Sequence, residues 1–227
     1  MLDAVATVRD AIANVQYTRS PLCVVTLDFA AAFDNISHGY LFATQKWYGF
    51  SDQMQQRIRL LYANITSAVK INGHISQQIP IKCSIRQGCP LSMQLYALCL
   101  DPLLKTLETI MKGSRIGRTQ VTNKVIAYAD EVTLLVTDPQ DIPRIKAAIR
   151  EYEAASGALI NNEESQALAI GNWKTETEVL NIPYVSNVKI HGIHFTPTIQ
   201  QTIHKNWAIP TSRIRGMAKA AYYRELS

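Results

Sequence analysis

The chain has little of what marks a membrane-spanning or secreted protein. Its longest apolar runs, such as Val132 to Val136 and Leu95 to Leu100, are far shorter than the roughly 20 residues that a bilayer-spanning helix needs. The amino terminus lacks the basic flank and the apolar core of a secretory signal. We therefore expect an intracellular protein, nuclear or cytoplasmic, with no membrane partner.

The chain also lacks Cys-x-x-Cys spacing and long basic runs. Its cysteines lie in or beside apolar runs, which favours buried free thiols over disulfides or a zinc site. Lys and Arg number 23 against 18 Asp and Glu, which gives a formal charge of +5 and a pI near 9.0. This excess permits a nucleic-acid partner without requiring one. The cysteines are Cys23, Cys83, Cys89 and Cys99.

What the chain does have is apolar strands that end in acidic residues. Leu22 to Leu27 predicts a buried strand that ends at Asp28, and Val125 to Ala129 with Val132 to Val136 predict two buried strands folded about Asp130-Glu131. Carboxylates are costly to bury together unless a cation neutralises them, so a shared divalent metal site is one interpretation. Ordinary turn acids are the other, and spacing alone favours them.

The remaining pattern mixes helices and strands without strict alternation. This favours an α+β domain with an antiparallel sheet over a doubly wound parallel one. The Asn72-Gly73 pair predicts a hairpin, and Asp52 is the predicted cap of the second helix. Helices are predicted over His38 to Tyr48, Asp52 to Asn64, Pro90 to Gly113 and Asp141 to Ala155, with further strands over Gln78 to Lys82, Ala167 to Ile170 and Val188 to Phe195.

Three motifs change the balance between these interpretations. They are the segments Leu27 to Asp34 (LDFAAAFD), Arg86 to Ser92 (RQGCPLS) and Ala127 to Glu131 (AYADE). In order and spacing they closely resemble three palm motifs of the reverse transcriptases of non-LTR (LINE-type) retrotransposons. Weaker matches are Ser156 to Asn161, after the catalytic hairpin, Val188 to Ile193, which resembles the primer-grip hairpin, and Trp207 to Ser227, which resembles the opening of the thumb.

The resemblance covers nearly the whole chain. It implies a reverse transcriptase palm with partial fingers elements over residues 1–200, its antiparallel sheet packed on helices, and the beginning of a helical thumb over 201–227. Asp28 and Asp130 would bind Mg²⁺, with Mn²⁺ as an alternative, together with the backbone carbonyl of Phe29. Glu131 completes the catalytic acids. The implied reaction is two-metal transfer of dNTPs to a DNA primer 3′-hydroxyl on an RNA template.

The same resemblance implies binding roles for five residues. Phe33 matches the position where a ring lies under the incoming sugar and selects deoxynucleotides, although core packing is the commoner fate of a Phe. Gln87 and Gly88 match the loop against the nucleotide and template. Lys189 and His191 fall in the primer-grip match, where a phosphate contact competes with a solvated strand face as the interpretation.

The chain departs from the family pattern at several positions. Glu131 stands where Asp is usual, which adds one methylene of about 1.5 Å. Ala31 stands where the family commonly has Lys, and Met93 where it usually has Pro. Glu164 stands where the family generally has Lys, and this last change reverses the charge. These changes motivate an alternative function, a catalytically inactive retroelement remnant that acts as a nucleic-acid-binding or interaction module.

We expect the rest of a retroelement polyprotein as a partner, namely an endonuclease, the complete fingers and the full thumb. A group II intron or telomerase-type polymerase shares the palm, but the wording of the second motif resembles retrotransposons more closely.

Overall fold

A computed structural model describes residues 2–86, 88–115 and 122–225. Gln87, which is predicted to lie in the loop against the nucleotide and template, is outside these residues. No helix in the described part is both long and apolar enough to cross a membrane. The helices are α1 (Leu2–Thr18), α2 (His38–Trp47), α3 (Asp52–Tyr62), α4 (Ser92–Ile110), α5 (Ile142–Ser156) and α6 (Ile199–Glu225), with a 3-10 turn (Pro139–Asp141) before α5.

Most strands are short, and all the ladders between them are antiparallel. Mixed helices and an antiparallel sheet confirm the predicted α+β class. The strands are β1 (Pro21–Leu27), β2 (Phe29–Ala30), β3 (Thr66–Ser67), β4 (Lys70–Ile71), β5 (His74–Ile75), β6 (Ile79–Pro80), β7 (Ser114–Arg115), β8 (Thr122–Asn123), β9 (Val125–Tyr128), β10 (Glu131–Val136), β11 (Leu159–Ile160), β12 (Gln166–Gly171), β13 (Val188–Ile190) and β14 (Ile193–Phe195).

The described residues form two compact units. The first consists of those within 1–27, 111–142 and 162–227, and the second of those within 28–110 and 143–161. The main sheet of the first unit has the strand order β12-β1-β10-β9. β1 is hydrogen-bonded on both sides, and Leu22, Cys23, Val24 and Val25 are all buried. A continuous apolar run, rather than an alternating one, suits such a central strand.

The helix α1 packs on this sheet and was not predicted. Its buried residues recur at three- and four-residue intervals, which places them on one face of the helix. The same spacing of apolar residues is visible in the sequence, in a segment that precedes the first of the three motifs. The shared core contains Val8, Ala11, Ile12, Val15, Leu22, Val24, Leu135, Leu168, Ile170, Val188, Ile190 and Phe195.

The second unit contains α2, α3, α4, most of α5 and the two-stranded β2–β11 ladder. The predicted hairpin at Asn72-Gly73 is confirmed as the β4–β5 turn. The predicted cap of α3 was wrong. Ser51, one residue before Asp52, is the N-cap, and its hydroxyl accepts a hydrogen bond from the Met54 backbone N–H at 3.3 Å. Serine is among the preferred residues for this position.

Several other boundaries and burial assignments differ from prediction. Helix α4 begins at Ser92 rather than in the turn of Pro90, and it ends at Ile110. The strand β9 is not buried, because Ala127 and Tyr128 at its end are exposed. All the cysteines are free as predicted, but only Cys23 and Cys99 are buried, whereas Cys83 is exposed and Cys89 is partly exposed.

Candidate active site

The acidic hairpin joins β9 to β10 in the first unit. Its ladder pairs Tyr128 with Glu131, so Ala129 and Asp130 form a two-residue turn. Ala129 has a φ of 55°, in the left-handed region. Asp130 is exposed at the tip, and no hydrogen bond or ion pair found among the described residues involves its carboxylate. The turn therefore presents one acid to solvent at the end of the sheet.

Asp28 directly follows β1 and belongs to the second unit. It is half-buried, and its backbone carbonyl accepts a hydrogen bond from the Asn161 N–H at 2.9 Å. Within the first unit, the last pair of the β1–β10 ladder is Leu27 with Val132. The strand pairing thus ends at the two residues that adjoin Asp28 and Glu131 in the chain.

Phe29, whose carbonyl is the third predicted metal ligand, lies in β2. Its side chain is buried, and its ring meets Tyr152 edge-on with 6.2 Å between ring centroids. No group of three His, Cys, Asp or Glu side chains that could hold a metal occurs in the described part of the chain. The predicted set of two Asp carboxylates and a main-chain carbonyl consists of hard oxygen donors, which is the chemistry that Mg²⁺ requires.

Glu131 is bound to the turn of a second hairpin. Its Oε2 accepts a hydrogen bond from the His191 backbone N–H at 3.2 Å and lies 2.8 Å from His191 Nδ1. The His191 side chain is 3% exposed and that of Glu131 58%. The Tyr128 ring meets the His191 ring edge-on, with 5.0 Å between centroids.

The second hairpin is β13–β14, in the segment that resembles the primer grip. His191 and Gly192 form its two-residue turn, with φ values of 48° and 84°. Left-handed conformations at both positions match the twist of antiparallel strands. The structure therefore places one of the two predicted primer-grip residues, His191, against the acidic hairpin, and leaves the other, Lys189, exposed on its strand.

The hairpin also contains His194, a residue that was not predicted from the sequence to belong to the site. His194 pairs with Lys189 across the ladder, and its Nδ1 lies 3.1 Å from Asn187 Oδ1. Burial lowers the pKa of His194, and the positive charges of Lys205 and Lys189 lower it further. Recognition of His191-Gly192 as the turn would have predicted the pairing. A nearby groove of about 600 Å³ is lined by Ser186, Asn187, Thr196, Gln200, Gln201, His204 and Lys205.

Phe33 and Gly88, the predicted nucleotide-binding residues, lie in the second unit. The Phe33 ring is partly buried and stacks on Tyr96, with 4.6 Å between centroids. Gly88 is exposed with a φ of 79°, a conformation that side chains disfavour. The Ser92 hydroxyl donates a hydrogen bond to the Arg86 carbonyl and so connects this loop to the start of α4. A cavity of about 290 Å³ beside the loop is lined by Leu61, Tyr62, Arg86, Gly88 and Cys89.

Comparison with known proteins assigns this arrangement to a family. The sequence pattern described as reverse transcriptase (RNA-dependent DNA polymerase) matches residues 3–195. The chain belongs to the reverse transcriptase family. The match includes all three palm motifs and the β13–β14 hairpin, and it begins within α1.

The curated relatives are mobile-element proteins. The chain is 34% identical over 176 residues to the 149 kDa protein of transposon TX1 from Xenopus laevis, which covers 78% of this chain and 14% of that protein. It is 28% identical over 147 residues to a Pol polyprotein of the retrotransposable element R2 from Popillia japonica, covering 64% and 24% respectively. These relatives confirm the predicted reverse transcriptase domain of a non-LTR retrotransposon. The chain spans less than a quarter of either protein's length.

Solved structures with a similar fold include telomerases from Candida. Telomerase from Candida tropicalis in complex with a fragment of telomeric RNA matches with a TM-score of 0.60 at 11% identity, over 86% of this chain and 31% of that one. Apo telomerase from the same organism matches with a TM-score of 0.55 at 15% identity, over 86% and 38%. At this identity the likeness shows the fold alone, a partial reverse transcriptase palm.

Proposed function

We propose that the chain is the catalytic core of an RNA-directed DNA polymerase, which extends a DNA primer on an RNA template. The observation that carries the proposal is the acidic hairpin: a tight turn that presents Asp130 to solvent, inside a family match that runs over residues 3–195. The names of the relatives, Pol polyproteins of retrotransposable elements, support the same reaction class. The other parts of such a polyprotein are its expected partners.

In this proposal Asp28 and Asp130 hold the divalent ions through carboxylate oxygens, and the Phe29 carbonyl contributes a further oxygen. When bound, such ions activate the attacking hydroxyl and stabilise the leaving oxygen. Asp28 adjoins the end of the β1–β10 ladder, and Asp130 lies in the turn that follows β9. Such groups must be held closely, because catalytic geometry tolerates displacements of well under 1 Å.

The remaining residues would bind the nucleotide and the nucleic acid. Phe33 would lie under the sugar of the incoming dNTP, and its stacking on Tyr96 would limit movement of the ring. Gly88 and its loop would lie against the nucleotide and template. Lys189, exposed on β13 and opposite His194, would contact the primer phosphates. Such contacts are electrostatic, so affinity for a primer-template would fall as salt rises.

Primer extension tests the proposal. The wild-type chain is assayed with Mg²⁺ or Mn²⁺ on RNA and DNA templates, beside Asp28→Asn and Asp130→Asn. Loss of a metal-binding carboxylate would reduce extension at least about 100-fold, since it removes transition-state stabilisation of several kcal/mol. Asp52→Asn, at an exposed position at the start of α3, is the matched control and should extend like wild type. If wild type and Asp28→Asn are equally silent, the polymerase proposal is wrong.

The second candidate function is a catalytically inactive binding module. It is favoured by Glu131, whose carboxylate is bound to His191, and by Glu164, an exposed acid where the family generally has a Lys. This candidate predicts salt-dependent binding of a primer-template without extension. Absence of binding at low salt would exclude both functions.

A further inference from the structure

We infer that Glu131 helps to position the primer end. It does so by holding the His191 turn of β13–β14 against the hairpin that carries Asp130. This inference rests on the proposed function, since it names what the last acid of the Tyr128 to Glu131 motif does there. The alternative role for that acid is a further metal ligand. The contacts of the first unit favour the positioning role.

The main observation is that a single oxygen of Glu131 contacts two nitrogens of one residue. Oε2 accepts from the His191 backbone N–H and faces Nδ1 of the same residue, at 3.2 and 2.8 Å. The hydrogen bond holds the backbone of the turn, and the short contact lies on its ring. Hydrogen bonds to a charged acceptor are among the stronger ones in proteins.

A second observation is that the ring of His191 is fully enclosed although it belongs to a hairpin turn. Its side chain is 3% exposed, and the Tyr128 ring covers it edge-on. Tyr128 and Glu131 are themselves paired across the β9–β10 ladder. Both residues that flank the Ala129-Asp130 turn therefore contact His191, and the two hairpins are joined at this point.

The length of the side chain matches this role. An Asp at position 131 on the same backbone would end about 1.5 Å earlier than Glu. The contact with Nδ1 would then exceed the range of a hydrogen bond. Glu131 is thus the residue that is long enough to reach the His191 turn. For a metal ligand the extra methylene would be a defect, whereas for the contact with His191 it is required.

The two roles predict opposite rankings of two variants. If Glu131 positions the turn, Glu131→Gln keeps the length and an acceptor oxygen and is mild, whereas Glu131→Asp breaks the contact. If Glu131 binds metal, Glu131→Asp restores the acid usual in the family and improves the reaction, whereas Glu131→Gln removes a charged ligand. If both variants lost activity only because they failed to fold, neither of these two rankings would be found.

The test is the affinity for a primer end, measured without chemistry. Fluorescence anisotropy compares a duplex with a recessed 3′ end and a blunt duplex of equal length, in EDTA and without dNTPs. We expect Glu131→Asp to lose about tenfold in affinity for the recessed end and nothing for the blunt duplex, since one charged hydrogen bond is worth about that factor. Glu131→Gln should stay within about threefold of wild type.

Two further measurements separate positioning from general damage. In extension assays Glu131→Asp should raise the KM for primer and leave kcat and the Mg²⁺ dependence unchanged. His191→Asn keeps a residue that tolerates the left-handed turn, and combined with Glu131→Asp it should add no further loss of affinity. Glu151→Asp, an exposed helical Glu to Asp change in α5, is the matched control and should bind like wild type.

Equal affinity of wild type and Glu131→Asp for the recessed end would overturn the inference, as would Glu131→Asp binding more tightly than Glu131→Gln. Wild type without preference for a recessed end would overturn it too. The proposed function fails on a different readout, namely extension by wild type no greater than by Asp28→Asn. The order of affinities of wild type, Glu131→Gln and Glu131→Asp for the recessed end tests the inference even if wild type shows no extension.

Discussion

Two hairpins of the chain share nearly the same turn and have very different surroundings. β4–β5 turns at Asn72-Gly73 with φ values of 48° and 85°, and β13–β14 turns at His191-Gly192 with 48° and 84°. In the first, Ile71 and Ile75 are 65% and 69% exposed. The second lies on a buried core, and its turn is bound to Glu131. Turn chemistry thus sets the shape of a hairpin, and tertiary contacts decide what the hairpin does.

The largest expected difference follows from changing the first turn residue in each hairpin to Ala. Asn72→Ala places Ala in the left-handed region and should lower the free energy of unfolding by about 1 kcal/mol. His191→Ala has a similar backbone cost and also loses the ring contacts with Glu131 and Tyr128. We expect a further loss of about 1 to 3 kcal/mol, with the part due to the Glu131 contact reduced because Glu131 is half-exposed.

Urea denaturation of the two variants measures this difference. His191→Ala in a Glu131→Ala background provides the cycle that isolates the contact, because the additional loss should shrink there. Equal effects of Asn72→Ala and His191→Ala in the wild-type background would show that the contact of His191 with Glu131 adds nothing to stability.

The second turn positions should give nearly equal effects. A Cβ added at Gly73 or at Gly192 would meet no atom within 4 Å, so only backbone strain at φ near 85° opposes a side chain. Gly73→Ala and Gly192→Ala should each lower the free energy of unfolding by about 1 to 2 kcal/mol. A much larger effect of Gly192→Ala would mean that the turn is held more tightly than the free space suggests. Thermal melts of both variants provide the comparison.

The smallest expected effect is a change in the pKa of His194, a paired residue of the β13–β14 ladder. Lys189 pairs with His194 in β13–β14, whereas Ile71 pairs with His74 in β4–β5. Lys205→Gln removes one of the positive charges that lower the pKa of His194, so that pKa should rise toward its ordinary value. NMR titration of the ring protons measures it. Lys174→Gln, at an exposed position in the same unit, should leave the His194 titration unchanged.

The sign of the linked stability change follows from the same shift. The pKa of His194 in the folded chain lies below the ordinary value of 6.5, so the unfolded chain takes up the proton first as the pH falls. Stability is therefore lost as the pH falls below 6.5 toward the lowered pKa. Lys205→Gln should make this decline shallower. An unchanged slope would show that the lysine charge does not reach His194.

Sequence patterns predicted the elements whose signals are local. A continuous apolar run identified β1, and the alternation of apolar runs with Asp130-Glu131 identified the acidic hairpin. Asn72-Gly73 identified its own turn. The cap of α3 was placed one residue late because Ser51 and Asp52 are both acceptable caps, and only the hydrogen bond to Met54 distinguishes them. The exposure of Cys83 could not be predicted from its apolar neighbours.

The candidate site divides in the same way. The amino-acid sequence by itself determined the family, the motif acids Asp28 and Asp130, and the substitution of Glu for Asp at position 131, because motif order and residue identity need no coordinates. Only the tertiary structure decided that the longer acid reaches His191, since the two residues are joined by hairpin packing across 60 positions of chain. A pattern can report which atoms a side chain offers, and packing determines which partner it meets.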